Sequence, residues 1–125
     1  MPELNAIGIV ASDMARTIAF YRLVGLDVPE TPEEGHIDTF LPNGLRFMLD
    51  SEEVIASFNP SWVRARGNQL GLALECASPA EVNDVHERVA AAGFDAEEPF
   101  DAPWGQRYCE LRDPDGNPVD LYAAL

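Results

Sequence analysis

Arg112-Asp113-Pro114-Asp115-Gly116-Asn117-Pro118-Val119-Asp120-Leu121-Tyr122-Ala123 spells out a turn followed by a strand. Within Asp-Pro-Asp-Gly-Asn, proline fixes φ, the Asp and Asn side chains bond to nearby backbone groups, and glycine supplies positive φ. The flanking runs Tyr108-Cys109-Glu110-Leu111 and Val119-Asp120-Leu121-Tyr122 alternate as half-buried strands do, so the turn closes an antiparallel hairpin.

Working outward from that hairpin, the same order of signals occurs twice. Ile7 to Val10 reads as a strand, Asp13 to Val24 as a helix, and Gly25 as its positive-φ cap followed by apolar Leu26. Leu70 to Cys76, Pro79 to Ala92, Gly93 and Phe94 repeat the pattern. Each half then finishes in a hairpin, around Pro42-Asn43-Gly44 in the first and Asp115-Gly116-Asn117 in the second. The expectation is an α+β fold of two tandem β-α-β-β-β modules forming a curved mixed sheet around a cavity. Module one spans about 1–50, a linker about 51–68, and module two about 69–125. A half of this size does not bury a sheet face alone, so the two are expected to share one core as a single domain over 1–125.

The closing hairpin, together with Ile18-Ala19-Phe20-Tyr21-Arg22-Leu23-Val24-Gly25-Leu26, resembles the vicinal oxygen chelate superfamily of glyoxalases, ring-cleaving dioxygenases and bleomycin-resistance proteins. The resemblance spans almost the whole chain, and Ala102-Pro103-Trp104-Gly105-Gln106-Arg107 adds to it without naming a substrate. That scaffold hosts several unrelated chemistries, so the resemblance implies a fold more firmly than a function. In metal-dependent members, His, Gln or Glu on the first strand of each half and a carboxylate on the last strand hold a divalent ion. Those places fall here on Ala6, seven residues before Asp13; Gly71, seven before Ser78; Met48, four after Gly44; and Asp120, four after Gly116. Only Asp120 keeps a suitable donor. Zn, Mn or Fe sites need about three protein ligands, so neither this metal nor any other cofactor is expected. A relocated site built from His36, Glu75, Glu110 and Asp120 is the alternative.

Composition narrows the partners. A formal net charge of −14 over 125 residues excludes nucleic acid and anionic membrane, which call for clustered Lys and Arg. Solubility and attraction of a cationic ligand both account for that charge. No apolar run approaches the roughly 20 residues of a membrane span and no leader pattern opens the chain, so a cytoplasmic protein is expected. Cys76 and Cys109 fall inside strands and read as free core thiols.

Strand alternation separates a helix-facing side from an open side. Ala6, Gly8, Val10, Arg46, Met48 and Asp50 fall on the open side in the first half. Gly71, Ala73, Glu75, Asp120 and Tyr122 do so in the second, with His36, Asp38, Phe40, Tyr108, Glu110 and Arg112 by the same parity. This mixture of small, aromatic and charged groups suits a small-molecule cavity. Both tryptophans, Trp62 and Trp104, fall in loops, where a flat ring is placed for ligand contact or for an interface. His86 lies beside the Val82, Val85, Val89 stripe of its helix and reads as a solvated or partly buried helix residue rather than a catalytic base.

Two functional readings follow. One is a metal-free binding protein sequestering a planar or cationic compound, with Arg46, Met48, Trp62, Trp104, Tyr108 and Tyr122 as ligand-binding residues. The other is a lyase, isomerase or dioxygenase with Glu75 or Asp120 as catalytic base, or with the relocated metal site. Under either, open sheet edges call for cover, and a homodimer is expected with Trp62 near the interface or pocket mouth.

Overall fold

The computed structural model describes residues 1–64 and 70–125, which cluster into two compact units, Met1–Ala65 and Arg66–Leu125. Residues 65–69, the end of the expected linker and the start of module two, lie outside the described residues.

The first unit runs β1 (Ala6–Ala11), α1 (Met14–Leu23), β2 (His36–Phe40), β3 (Arg46–Ser51) and α2 (Glu52–Phe58). Its sheet has the order β1-β3-β2, with β1 parallel and β2 antiparallel to the central β3. Helix α1 starts where Asp13 accepts a hydrogen bond from the Arg16 backbone N–H at 3.0 Å, satisfying a donor that the helix itself leaves unpaired. It stops in a Schellman motif: Leu26 N–H donates to Tyr21 O, Gly25 N–H donates to Arg22 O, and Gly25 has φ of +100°. Phe20 and Tyr21 are fully buried, and Tyr21 packs on Phe47 of β3 with ring centroids 4.9 Å apart. Ile37, Thr39 and Leu49 share that buried side.

The second unit runs β4 (Leu72–Glu75), α3 (Pro79–Ala91), β5 (Phe100–Ala102), β6 (Gln106–Arg112) and β7 (Pro118–Ala124), with sheet order β4-β7-β6-β5. This is the full β-α-β-β-β pattern. Ser78 caps α3 by accepting from Glu81 N–H at 3.2 Å, Pro79 fits the first turn, and a second Schellman motif ends the helix at Gly93 and Phe94. Val82, Val85 and Val89 bury one stripe of α3 against β6 and β7, whose Cys109, Leu111, Val119, Leu121 and Ala123 point toward it. His86 is half-buried beside that stripe.

One expectation about the first half needs correction. Its sheet has three strands, because the segment matching β5 carries Pro29 and Pro32, which lack ladder donors. Arg22 ties that segment down instead, donating to Val28 O at 2.7 Å and pairing with Glu30 at 2.9 Å. The expected linker also contains a helix. Ser51 ends β3 and caps α2 by accepting from Val54 N–H at 3.2 Å, and Glu52 and Glu53 then suit the positive end of the helix dipole. Helix α2 folds back over Gly35, where an added Cβ would come within 2.3 Å of Val54 Cγ2. The register runs unbroken along β2–β3 and along β6–β7.

Candidate functional site

The register of the second sheet places its open-side residues in neighbouring rows. Tyr108 faces Tyr122, Glu110 faces Asp120, and Arg112 faces Pro118 across β6 and β7. On the other side of β7, Ala73 pairs with Asp120 and Glu75 with Tyr122. Glu75 and Asp120 therefore stand on diagonal positions of adjacent strands, Glu75 exposed and Asp120 half-buried.

Asp120 is the centre of this face. Its Oδ2 accepts a hydrogen bond from the Tyr108 hydroxyl. Its Oδ1 is buried and has no hydrogen-bond partner among the described residues. The bond to Asp120 is the main reason that the Tyr108 phenol is pushed up to about 12, with burial and the Asp120 and Glu110 charges adding to it. Glu110 takes the Arg112 guanidinium instead, at 2.7 Å, and Arg112 also donates to Gly116 O at 3.2 Å.

Beside Asp120 stands a three-ring cluster. Trp104 and Tyr108 have ring centroids 5.4 Å apart at 81°, Phe100 and Trp104 6.3 Å at 88°, and Phe100 and Tyr108 6.1 Å at 65°. Trp104 is 61% exposed, framed by Gly105, and its indole N–H donates to Gln106 Oε1 at 2.9 Å. An indole with its polar atom satisfied and its ring in solvent presents an apolar plate.

Trp104, Tyr108, Tyr122, Glu75 and Asp120 thus share the second sheet's open face. Arg46 and Met48 lie on the open face of the first sheet, where Met48 fills the space left by Gly8, at 3.5 Å from where a Cβ would be. Trp62 follows α2, half-buried, with its backbone N–H donating to Asn59 O.

The places that resemblance assigns to metal ligands do not fit a divalent ion. Ala6 and Gly71 offer no donor atom, Met48 offers a thioether, and one oxygen of Asp120 is already committed to Tyr108. Among the described residues, no three His, Cys, Asp or Glu side chains gather in a group able to hold a metal.

Two arrangements were missed from sequence, the Tyr108–Asp120 bond and an Asp50–His36–Asp38 cluster on the first sheet, in which the His36 ring nitrogens contact Asp50 at 2.5 Å and Asp38 at 3.1 Å. A usable signal was present. Each hairpin turn fixes its register, and counting outward from Asn43-Gly44 and from Asp115-Gly116 pairs His36 with Asp50 and Glu110 with Asp120.

Tyr108 provides a direct test of this geometry. Its phenolate signal is expected near pH 12, against an ordinary 10.0. Because the folded value is the higher one, this bond's stabilisation is full below pH 10 and is lost as pH rises through about 12. In Asp120→Asn the titration moves downward. A Tyr108 resonance titrating at its ordinary value in the parent refutes the bond.

Comparison with known proteins gives the fold its context. No functionally curated protein matches the chain. A glyoxalase/bleomycin resistance protein/dioxygenase family enzyme from Burkholderia phytofirmans superimposes with a TM-score of 0.82 at 17% identity, covering 99% of this chain and 100% of that one. A glyoxalase/bleomycin resistance protein/dioxygenase from Nocardioides gives 0.74 at 24% identity, covering 100% and 85%. A lactoylglutathione lyase from Agrobacterium tumefaciens gives 0.67 at 23%, covering 94% and 90%. These likenesses carry the fold alone. The model of the Glyoxalase/Bleomycin resistance protein/Dioxygenase superfamily matches residues 3–121, and it is to this superfamily that the chain belongs.

Proposed function

We propose that this protein is a metal-free small-molecule-binding member of its superfamily, holding a planar, cationic or hydrogen-bond-donating compound against the open face of the second sheet. The observation that carries the reading is the buried Asp120 Oδ1, without a hydrogen-bond partner among the described residues, beside the Phe100–Trp104–Tyr108 rings. A buried carboxylate oxygen without a donor costs about 1–3 kcal/mol, and a ligand N–H or O–H removes that cost. The exposed Trp104 ring supplies a stacking surface, and the net charge of −14 favours cations over anions at long range.

The test uses two planar probes, 9-aminoacridine as the cation and acridine as its neutral counterpart, titrated by calorimetry and tryptophan fluorescence. Trp104→Ala is expected to weaken both by about 1–3 kcal/mol, roughly 5- to 150-fold. Asp120→Asn is expected to weaken the cation more than the neutral probe, by a difference that shrinks in high salt. Parent-like affinity in Trp104→Ala makes that ring structural and rejects the stacking model.

A lyase or isomerase is the second reading, supported by the diagonal placement of Glu75 and Asp120 with the Tyr108 proton beside them. Asp120→Asn abolishing turnover of a substrate while leaving its binding intact selects this reading over sequestration.

We also infer a homodimer. Sheet edges and the exposed Phe58 and Leu70 side chains support it, since paired copies cover both. Light scattering at micromolar protein is expected to give twice the chain mass, and a monomeric mass rejects it. Free, buried Cys76 and Cys109 agree with a reducing compartment such as the cytoplasm. Among the described residues, no helix is long and apolar enough to cross a membrane.

A further inference from the structure

The open face of the first sheet carries charges of alternating sign in one line, Asp50, His36, Asp38 and Arg46. Asp50 Oδ1 lies 2.5 Å from His36 Nδ1, Asp38 Oδ1 lies 3.1 Å from His36 Nε2, and the same Asp38 oxygen lies 3.8 Å from Arg46 Nη1. The first two contacts are hydrogen bonds and the third exceeds hydrogen-bond length. Asp38 is thus held by the imidazole and only loosely by the guanidinium. An exposed ion pair of that kind contributes little.

Arg46 is left facing a cavity of about 190 Å³ that it lines with Asn5, Phe40 and Gly44. Phe40 stands opposite Arg46 in the ladder and is 75% exposed, a large apolar ring beside a planar cation. A guanidinium fork matches two carboxylate oxygens, and an aromatic face matches a flat apolar body.

We propose that this cavity binds a small planar carboxylate, with its two oxygens on the Arg46 guanidinium, its ring against Phe40, and Asp38 as the internal competitor that it displaces from Arg46. Displacement is cheap because Asp38 keeps its hydrogen bond to His36. The proposal concerns the first sheet and stands independently of the site around Asp120.

Protonation of His36 sets how hard Asp38 competes. The bond to Asp50 chiefly raises the imidazole pKa, Asp38 adds to this, and desolvation opposes both. The groups around His36 are Asp38 on its own strand, Asp50 and Arg46 on β3, and on the adjoining β1 only Ala6, Gly8 and Val10. On α2, Glu52 pairs with Arg64 and Glu53 is exposed. While His36 is charged, Asp38 is neutralised by it. Once His36 loses its proton, Asp38 turns its charge to Arg46 and competes more strongly.

The experiment titrates benzoate into the isotope-labelled full chain, following the Arg46 side-chain N–H and His36 ring resonances by NMR, with benzamide as the uncharged control. Benzoate is expected to move both signals saturably and benzamide neither. Arg46→Gln should weaken benzoate about tenfold, and Asp38→Asn should strengthen it about threefold, the scale of removing one exposed ion-pair competitor. Affinity should fall as pH rises through the His36 titration in the parent, and fall much less in Asp38→Asn. Added salt should not weaken benzoate as it does the cation at Asp120, since the protein's net negative charge opposes an approaching anion. Unmoved resonances, equal binding by Arg46→Gln, or weaker binding by Asp38→Asn each overturn the proposal. The Asp38 variant keeps the test decisive if Arg46→Gln fails to fold.

Discussion

Asp113→Ala is expected to lower the free energy of unfolding by about 2–4 kcal/mol, measured by urea titration. Asp113 is 4% exposed and its carboxylate organises the whole closing turn. Oδ1 accepts from the backbone N–H groups of Asp115 and Asn117, both at 2.9 Å, and Oδ2 accepts from the Asn117 side-chain amide at 2.8 Å. Backbone bonds from Asp113 N–H to Asn117 O and from Gly116 N–H to Asp113 O complete the loop. Alanine removes the acceptor and leaves three donors without it, in a turn that sets the register of β6 and β7. Asp113→Asn should lose less, because one acceptor oxygen survives. A loss below about 1 kcal/mol for Asp113→Ala means that Pro114 and Gly116 alone hold the turn.

Cys109 is expected to resist thiol reagents by a still larger factor. It is fully buried, its Sγ–H donates to Glu97 O at 3.3 Å, and desolvation first, then the Asp120 charge, pushes its thiol up to about 12 from an ordinary 9.0. Three pH units mean about a thousandfold less thiolate at neutral pH, before burial blocks the reagent at all. Labelling of the folded protein with a disulfide reagent should therefore report opening of the second sheet rather than chemistry at its surface. Asp113→Ala should accelerate it about tenfold for each 1.4 kcal/mol of stability lost. Rapid labelling of Cys109 in the stable parent contradicts the packing described.

Much of this molecule was legible in its residues because local rules and packing agree. Asp13, Ser78, Gly25 and Gly93 mark helix ends through single hydrogen bonds and positive φ, which sequence displays directly. Strand parity was legible for the same reason, since Phe47 and Leu49 against Met48 and Asp50 is a period-two pattern. Helix α2 was hidden because Glu52-Glu53-Val54-Ile55-Ala56-Ser57-Phe58 is short and has no fully buried position. The missing edge strand of the first half was signalled by Pro29 and Pro32, but the repeat suggested a strand there. At the site, residue types were readable and partners were not. The orphaned oxygen of Asp120 depends on which way a carboxylate turns, and that is settled by Tyr108 across the ladder.

The close approach of Val54 to Gly35 constrains how this sequence can drift. Any side chain at position 35 must move Val54 and with it the helix that Ser51 starts, so the two positions are size-coupled. A larger residue at 35 becomes tolerable only with a smaller one at 54, and among descendants of this chain the pair should change in concert or stay fixed. The neighbour of Gly35 is His36, so the same close contact bears on where β2 begins: a helix with no fully buried side chain of its own is expected to persist because the glycine beside it has no room to grow.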